Sequence, residues 1–153
     1  MNLKMNVLIR PAVLSDIDFI VAANIAMAKE IENLDLDRET LSLGVKAVFD
    51  NPHHGRYVIC EVDGKVCGSF LVTTEWSDWR NNQVAWIQSL YILEQHRGKG
   101  LFRKMFSWIE EQVNAGHYAG VRLYVDTTNE HARKVYSGVG MTDEHYMMFE
   151  KMA

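Results

Sequence analysis

Residues 95–101, with the sequence QHRGKGL, combine two glycines with basic side chains in one short stretch. If a helix begins directly after it, the first backbone N–H groups have no partner within the helix and carry partial positive charge. Gly98 and Gly100 would let this backbone approach an anion closely, because neither residue has a Cβ atom. The basic residues of the region are Arg97, Lys99, Arg103 and Lys104. These residue types at this spacing predict a site for a phosphate-bearing ligand.

The patterns on either side supply the elements that such a site requires. Residues 84–92 form an apolar run that predicts a buried strand, and residues 101–115 repeat apolar residues at helical spacing. Gly116 follows and is expected to end the helix. The side chains expected to face inward from this helix are Phe102, Met105, Phe106, Ile109 and Val113.

The rest of the chain predicts alternating short strands and helices without a linker or repeat. The order is a strand, two helices, three strands, a helix, a strand, a helix and a strand, which indicates an α/β fold with a mixed sheet flanked by helices. Asp37 is expected to cap the second helix, and Asp63–Gly64 to turn a hairpin. The further segments are strands at 7–9, 56–62, 65–74, 121–125 and 146–149, and helices at 15–33, 37–50 and 129–139.

Length and composition describe one ordinary globular domain, residues 1–153. The chain is 48% hydrophobic and 24% charged, and its formal net charge is −4. A nucleic-acid-binding protein usually presents a basic face, so this balance argues against nucleic acid as a partner. No apolar run is long enough to cross a bilayer, and residues 1–5 lack the apolar core of a signal peptide. We therefore expect a cytoplasmic protein that has no membrane partner.

The cysteines and histidines show no metal-binding spacing, and no metal site is expected. Cys60 and Cys67 lie symmetrically about the predicted hairpin turn, which would set them opposite each other. Two free thiols on a buried face are the favoured interpretation for a cytoplasmic protein, and a cross-strand disulfide is the alternative.

Two motifs in this order resemble those of the Gcn5-related N-acetyltransferase (GNAT) superfamily. The pattern Gln95-x-x-Gly98-x-Gly100 is similar to its motif A, and residues 129–136 followed by Gly140–Met141 are similar to its motif B. The opening residues 9–12, before the predicted cap at 15–16, resemble the family's first strand and helix start. The resemblance covers residues 7–151 and implies the family's fold, with a central, mostly antiparallel mixed sheet.

The resemblance implies acetyl-coenzyme A as the cofactor. Its pyrophosphate is expected on backbone amides of residues 97–102, and its pantetheine arm along the end of the preceding strand. An N–H group of Leu90 or Ile92 would polarise the thioester carbonyl, and Asn129 would contact the pantetheine arm. The expected cofactor-binding residues are Tyr91, Ile92, Gln95, Arg97, Gly98, Lys99, Gly100, Leu101, Phe102, Arg103 and Asn129.

The resemblance also implies direct transfer to an amine, with Tyr136 as the acid that protonates the departing thiolate. Many members place a glutamate on the strand before motif A, where this chain has Gln88 and Ser89. A base acting through water is therefore expected among Glu75, Asp78 and Glu30, and Gln88 could orient the acceptor or that water.

The acceptor is expected to be a primary amine on a small, cationic molecule, since residues 30–37 are acidic and the loop after residue 75 is rich in tryptophan. Glu30 and Trp76 are the candidate acceptor contacts. A peptide or protein acetyltransferase of the same fold, and a non-catalytic acyl-coenzyme A sensor, remain as alternatives. The sequence leaves the acceptor, the acyl length and the oligomeric state open, although a homodimer is common in the family.

Overall fold

The computed structural model describes residues 4–153, so the predicted lack of a leader at residues 1–5 falls partly outside it. The backbone contacts divide the chain into two compact units, Met1–Arg122 and Leu123–Ala153. The described part of the first unit, residues 4–122, holds five strands and three α-helices besides short 3-10 turns. They are β1 (Val7–Pro11), α1 (Ile17–Glu32), α2 (Arg38–Asp50), β2 (Arg56–Val62), β3 (Lys65–Ser77), β4 (Asn82–Ile92), α3 (Leu101–Asn114) and β5 (Gly120–Arg122). The second unit holds α4 (Glu130–Gly138).

The strands form one five-stranded sheet in the order β1-β2-β3-β4-β5. All neighbours are antiparallel except β4 and β5, which are parallel. A parallel pair requires a crossover, and α3 provides it between β4 and β5. The prediction of a mixed, mostly antiparallel sheet flanked by helices is confirmed.

Helices α1 and α2 cover one face of the sheet. Ile20, Val21 and Val45 pack there against Tyr57 and Ile59 of β2, all of them buried. Each such side chain contributes roughly 1.5–3 kcal/mol of hydrophobic stabilisation. The residues of β2 that alternate with this pair, Val58 and Cys60, are fully buried on the other face. Helix α3 supplies a second buried apolar set, which consists of Leu101, Met105, Phe106 and Ile109.

An ion-pair cluster joins the start of α1 to the first two strands. Arg10 donates to both carboxylate oxygens of Asp16, at 2.8 and 3.0 Å, and to Glu61 at 2.9 Å. Asp16 is buried and also accepts from the backbone N–H of Val13. The predicted helix start at this position is confirmed, and so is the cap of α2, where Asp37 accepts from the N–H of Thr40.

The cysteine thiols are free and buried, with Sγ atoms 3.8 Å apart. A bulge between Cys60 and Glu61 shifts the hairpin register, so Cys60 pairs with Gly68 rather than with Cys67. Burial is the main reason that the pKa of Cys60 rises to about 12.

Four predicted strands differ from the structure. Strands β1 and β3 run further than expected, to Pro11 and Ser77, so Trp76 lies in β3 and not in the loop that was expected after residue 75. Strand β5 ends at Arg122 instead of residue 125. The prediction of a strand at 146–149 is wrong, since that segment has no regular structure and Tyr146 and Phe149 are 77% and 91% exposed. Alternating aromatic and methionine residues suit a strand, but a strand forms only where a neighbour completes its hydrogen bonds. No strand within residues 4–153 pairs with this segment.

None of the helices in the described part of the chain is long and apolar enough to cross a membrane.

Candidate active site

Strand β4 is interrupted by a bulge immediately before its end. Gln88 pairs with Leu71, and Tyr91 pairs with Ser69, so two residues of β4 stand opposite one residue of β3. The first of these two, Ser89, has φ +52°, in the left-handed region that non-glycine residues rarely adopt. A bulge of this kind turns backbone groups out of the ladder and is common beside active sites.

The other edge of β4 loses its partner at the same level. Strand β5 pairs with β4 only at Val84, Ala85 and Trp86. From Ile87 to Ile92, no strand among residues 4–153 pairs with β4 on this side. Such an edge offers backbone donors and acceptors to an extended ligand arm. Leu90, Tyr91 and Ile92, which the sequence analysis assigned to cofactor contacts and to thioester polarisation, lie on this segment.

The glycine-rich turn follows the end of β4 directly. Gly98 and Gly100 have φ values of +72° and +76°, and a Cβ atom built on either would meet no heavy atom within 4 Å. Helix α3 begins at Leu101, and the N–H of Lys104 bonds to the carbonyl of Gly100. The turn is therefore open above its glycines and leads into the positive end of a helix dipole. These features suit an anion such as a phosphate group, and the assignment of residues 97–102 to acetyl-coenzyme A stays a prediction.

Arg97 and Glu30, which the sequence assigned to the cofactor and to the acceptor, form an ion pair with each other. The Nη2 atom of Arg97 donates to Oε2 of Glu30 over 2.9 Å, and the hydroxyl of Tyr91 donates to Oε1 over 2.8 Å. Burial by itself would raise the pKa of Glu30, but the hydrogen bonds from Arg97 and Tyr91 outweigh it and the pKa is lowered. Burial and the contact with Glu30 raise the pKa of Tyr91.

Several polar side chains lie on the sheet face that carries Tyr57 and Leu71. The Nε2 atom of Gln88 donates to the hydroxyl of Thr73 over 2.6 Å. Glu75 accepts from Nη1 of Arg122 over 2.6 Å, so this candidate base is engaged in an ion pair. Another candidate base, Asp78, accepts from the N–H of Trp79 in the turn after β3. The candidate acceptor contact Trp76 has a side chain that is 59% exposed.

The second unit carries the motif-B residues. Asn129 precedes α4 and its Oδ1 accepts from the N–H of Ala132 over 3.1 Å, so it caps the helix. Tyr136 follows seven residues later, about 10.5 Å along the helix axis. Burial raises the pKa of Tyr136 above the ordinary value of a tyrosine. A phenol in this setting remains protonated at neutral pH, as a general acid must.

Sequence reasoning missed how strongly these residues are paired with one another. The ion pair of Glu30 with Arg97 spans 67 positions, and that of Glu75 with Arg122 spans 47. Strand register could have suggested the pair of Glu75 with Arg122. Thr73 and Arg122 both align with Trp86, and Glu75 follows Thr73 by two residues, on the same face of β3. No local signal marks the first pair, since it depends on where α1 ends. Residues 4–153 contain no group of three or more His, Cys, Asp or Glu that could hold a metal ion.

Comparison with known proteins identifies a family for this chain. The model of the acetyltransferase (GNAT) family matches residues 25–141. An N-acetyltransferase of Archaeoglobus fulgidus, described as uncharacterized, is 28% identical over 81 residues, which are 52% of this chain and 55% of that protein. The match thus spans about half the length of that curated relative.

Among solved structures, a possible acetyltransferase from Clostridium difficile 630 superimposes with a TM-score of 0.89 at 36% identity, over 96% of this chain and 97% of its own. The aminoglycoside N-acetyltransferase AAC(6')-Iy, in complex with CoA, has a TM-score of 0.77 at 11% identity, over 99% and 98% of the two chains. At this low identity the second likeness shows the fold alone.

Proposed function

The chain belongs to the GNAT family of acetyltransferases, and from this premise we propose that it transfers the acetyl group of acetyl-coenzyme A to a primary amine of a small cationic molecule. One observation carries the proposal. The bulge at Ser89, the unpaired edge of β4 and the open glycine turn follow one another along residues 87–101. Together they form a groove edge for an extended arm, with an anion site at its end.

The residues of this stretch divide the binding work between them. The backbone of residues 97–102, with the side chains of Arg97 and Lys99, holds the pyrophosphate, helped by the dipole of α3. Gln95 and Arg103 lie at the two ends of the turn and complete its polar rim. Backbone groups of Tyr91 and Ile92 hold the pantetheine arm, and the N–H of Leu90 donates toward the thioester oxygen.

Acetyl-coenzyme A supplies an activated acyl group on a thiolate leaving group. Tyr136 donates the proton that this thiolate takes up, and its raised pKa keeps the phenol protonated at neutral pH. The ammonium form of the amine must lose a proton, and we assign Glu75, two positions from Thr73 along β3, as the base that takes this proton through a water molecule held near Gln88. Asn129 contacts the pantetheine arm through the part of its amide that does not cap α4.

A cationic acceptor suits the charge of this chain and its exposed Trp76. Aromatic faces attract cationic amines, and the net charge of −4 favours their approach. The same fold accommodates such acceptors, since one structure of 14% identity is an aminoglycoside acetyltransferase in complex with sisomicin. The proposal includes a cytoplasmic location and a homodimer. The exposed apolar residues of the second unit, such as Met147, Met148 and Phe149, are the support for self-association.

Thermal unfolding with acetyl-coenzyme A, free coenzyme A and ATP tests the cofactor. A ligand at about 100 times its Kd stabilises the protein by roughly 2.7 kcal/mol, a shift of several degrees for a chain of this size. A shift with both coenzyme A species and little with ATP supports the proposal, and no shift with any of them removes its basis.

A screen that follows thiol release with polyamines, aminoglycosides and a peptide library then tests the acceptor. Release only with small amines supports the proposal. Acetylation of peptides alone would favour the peptide acetyltransferase, and cofactor binding without release on any acceptor would favour the sensor.

A further inference from the structure

Arg97 at the start of the glycine turn is held in one position by three separate contacts. Its Nε donates to the carbonyl of Ile92 over 2.9 Å, and its Nη2 donates to Glu30 over 2.9 Å. Its guanidinium also lies over the ring of Tyr91, 5.2 Å from the centroid. The Nη1 atom has no hydrogen-bond partner within residues 4–153, and the side chain is 43% exposed to solvent. The arrangement fixes the guanidinium while leaving one of its nitrogens for an anion.

Glu30 is the residue that closes this arrangement. It lies in the last turn of α1, and each of its carboxylate oxygens is used, Oε1 by Tyr91 and Oε2 by Arg97. The Tyr91 side chain is buried, so its hydroxyl needs the partner that Glu30 provides. One carboxylate therefore joins the end of α1, the end of β4 and the beginning of the turn.

We propose that Glu30 is a positioning residue for cofactor binding, which orients Arg97 toward the phosphates of coenzyme A instead of contacting the acceptor. The inference rests on the proposed function, because it assigns the turn to coenzyme A. It gives a different role to a carboxylate that the sequence alone placed at the acceptor.

Two opposing effects decide the sign of the expected result. The negative charge of Glu30 subtracts from the positive potential at the turn, but interactions between partly exposed charges are screened by water and salt. Against this, an arginine side chain has among the largest rotamer entropies of any residue, and an Arg97 freed from Glu30 must pay that entropy on binding a phosphate. We expect orientation to outweigh repulsion.

The test is the Kd of coenzyme A, measured by titration calorimetry on the full chain. Glu30→Gln keeps the size of the side chain but removes the charge, and we expect it to raise the Kd by about five- to ten-fold. Glu110→Gln is the matched control, since it makes the same charge change at an exposed position of α3, and it should leave the Kd unchanged. Circular dichroism and thermal unfolding of each variant confirm that it is folded.

A double-mutant cycle with Arg97→Ala separates positioning from a general structural role. If Glu30 acts through Arg97, adding Glu30→Gln to Arg97→Ala changes the Kd by less than about two-fold. A loss of the same size in both backgrounds would show that Glu30 only supports the fold and would overturn the inference.

Coenzyme A binding by Glu30→Gln that equals or exceeds that of the wild type would also overturn it, while leaving the proposed function intact. If the wild-type protein itself fails to bind coenzyme A, the proposed function fails and this inference fails with it.

Discussion

Gln88 donates a 2.6 Å hydrogen bond to the hydroxyl of Thr73 across β3 and β4. The bond fixes the Gln88 amide at the position directly before the bulge, so that the side chain keeps its carbonyl oxygen for another donor. An amide carbonyl accepts a hydrogen bond but is too weak a base to take a proton from an ammonium group. The pair is therefore suited to orienting an amine or a water molecule.

The first prediction concerns this pair. Gln88→Ala should lower kcat by about ten-fold while the KM for acetyl-coenzyme A stays within two-fold, because the lost contact concerns the acceptor side only. Steady-state thiol release with the best amine from the screen measures both constants. Thr73→Val removes the hydroxyl at nearly constant volume and should reproduce part of the loss. An unchanged kcat in both variants would exclude an orienting role for Gln88.

The second prediction concerns the acid. Tyr136→Phe should lower kcat by about ten-fold or more, with the Kd of coenzyme A close to that of the wild type. Since burial raises the pKa of Tyr136, the wild-type kcat should show no decline from its ionisation until the pH exceeds about 10, the ordinary pKa of a tyrosine. A pH–rate profile checks the sign. Equal turnover in the phenylalanine variant would remove Tyr136 from the mechanism.

What the sequence could predict is local, and what it missed depends on distant partners. The glycines at 98 and 100 and the cap at Asp37 act through their own backbone neighbourhood, so pattern alone predicted the turn and the start of α2. The segment 146–149 has a strand-like pattern, but no strand within the described residues 4–153 pairs with it, and no local pattern can reveal this. The pairing of Glu30 with Arg97 depends on how the end of α1 packs beside the end of β4, 67 positions away in the chain.

The bulge shows a further limit. Ser89 adopts φ +52°, yet serine has no preference for that region, and the sequence gives no sign of the strain. Only the pairing of β4 with β3 locates the bulge, at Ser89 and Leu90.

The third prediction tests that strain. Ser89→Val should lower the free energy of unfolding by about 1–2 kcal/mol, because a β-branched residue tolerates a positive φ poorly. Ser89→Gly should remain within about 0.5 kcal/mol of the wild type, since relief of strain is offset by greater freedom in the unfolded chain. Urea denaturation measures both values. Equal free energies of unfolding for the two variants would show that the left-handed backbone conformation of residue 89 does not destabilise the fold.

The fourth prediction concerns the ion pair that joins β1 to α1. The hydrogen bond from Arg10 is the largest cause of the lowered pKa of Asp16, which burial opposes. A carboxyl whose pKa is lower in the folded state stabilises the fold fully above its unfolded pKa of about 3.9, and this stabilisation is lost as the pH falls through the folded value. Asp16→Asn should therefore cost about 2–3 kcal/mol at pH 7, because it leaves Arg10 without its main partner.

The same variant gives the pH test its control. As the pH falls below the unfolded pKa of about 3.9, Asp16 takes up a proton in the unfolded chain before it does so in the folded protein, so the difference in unfolding free energy between wild type and Asp16→Asn should shrink. Asp18 is a neighbouring acidic residue on the exposed side of the first turn of α1. Its substitution Asp18→Asn should lower the free energy of unfolding by less than about 1 kcal/mol at pH 7. A difference between wild type and Asp16→Asn that stayed constant from pH 7 to pH 3 would mean that packing, and not the charge of Asp16, holds this corner together.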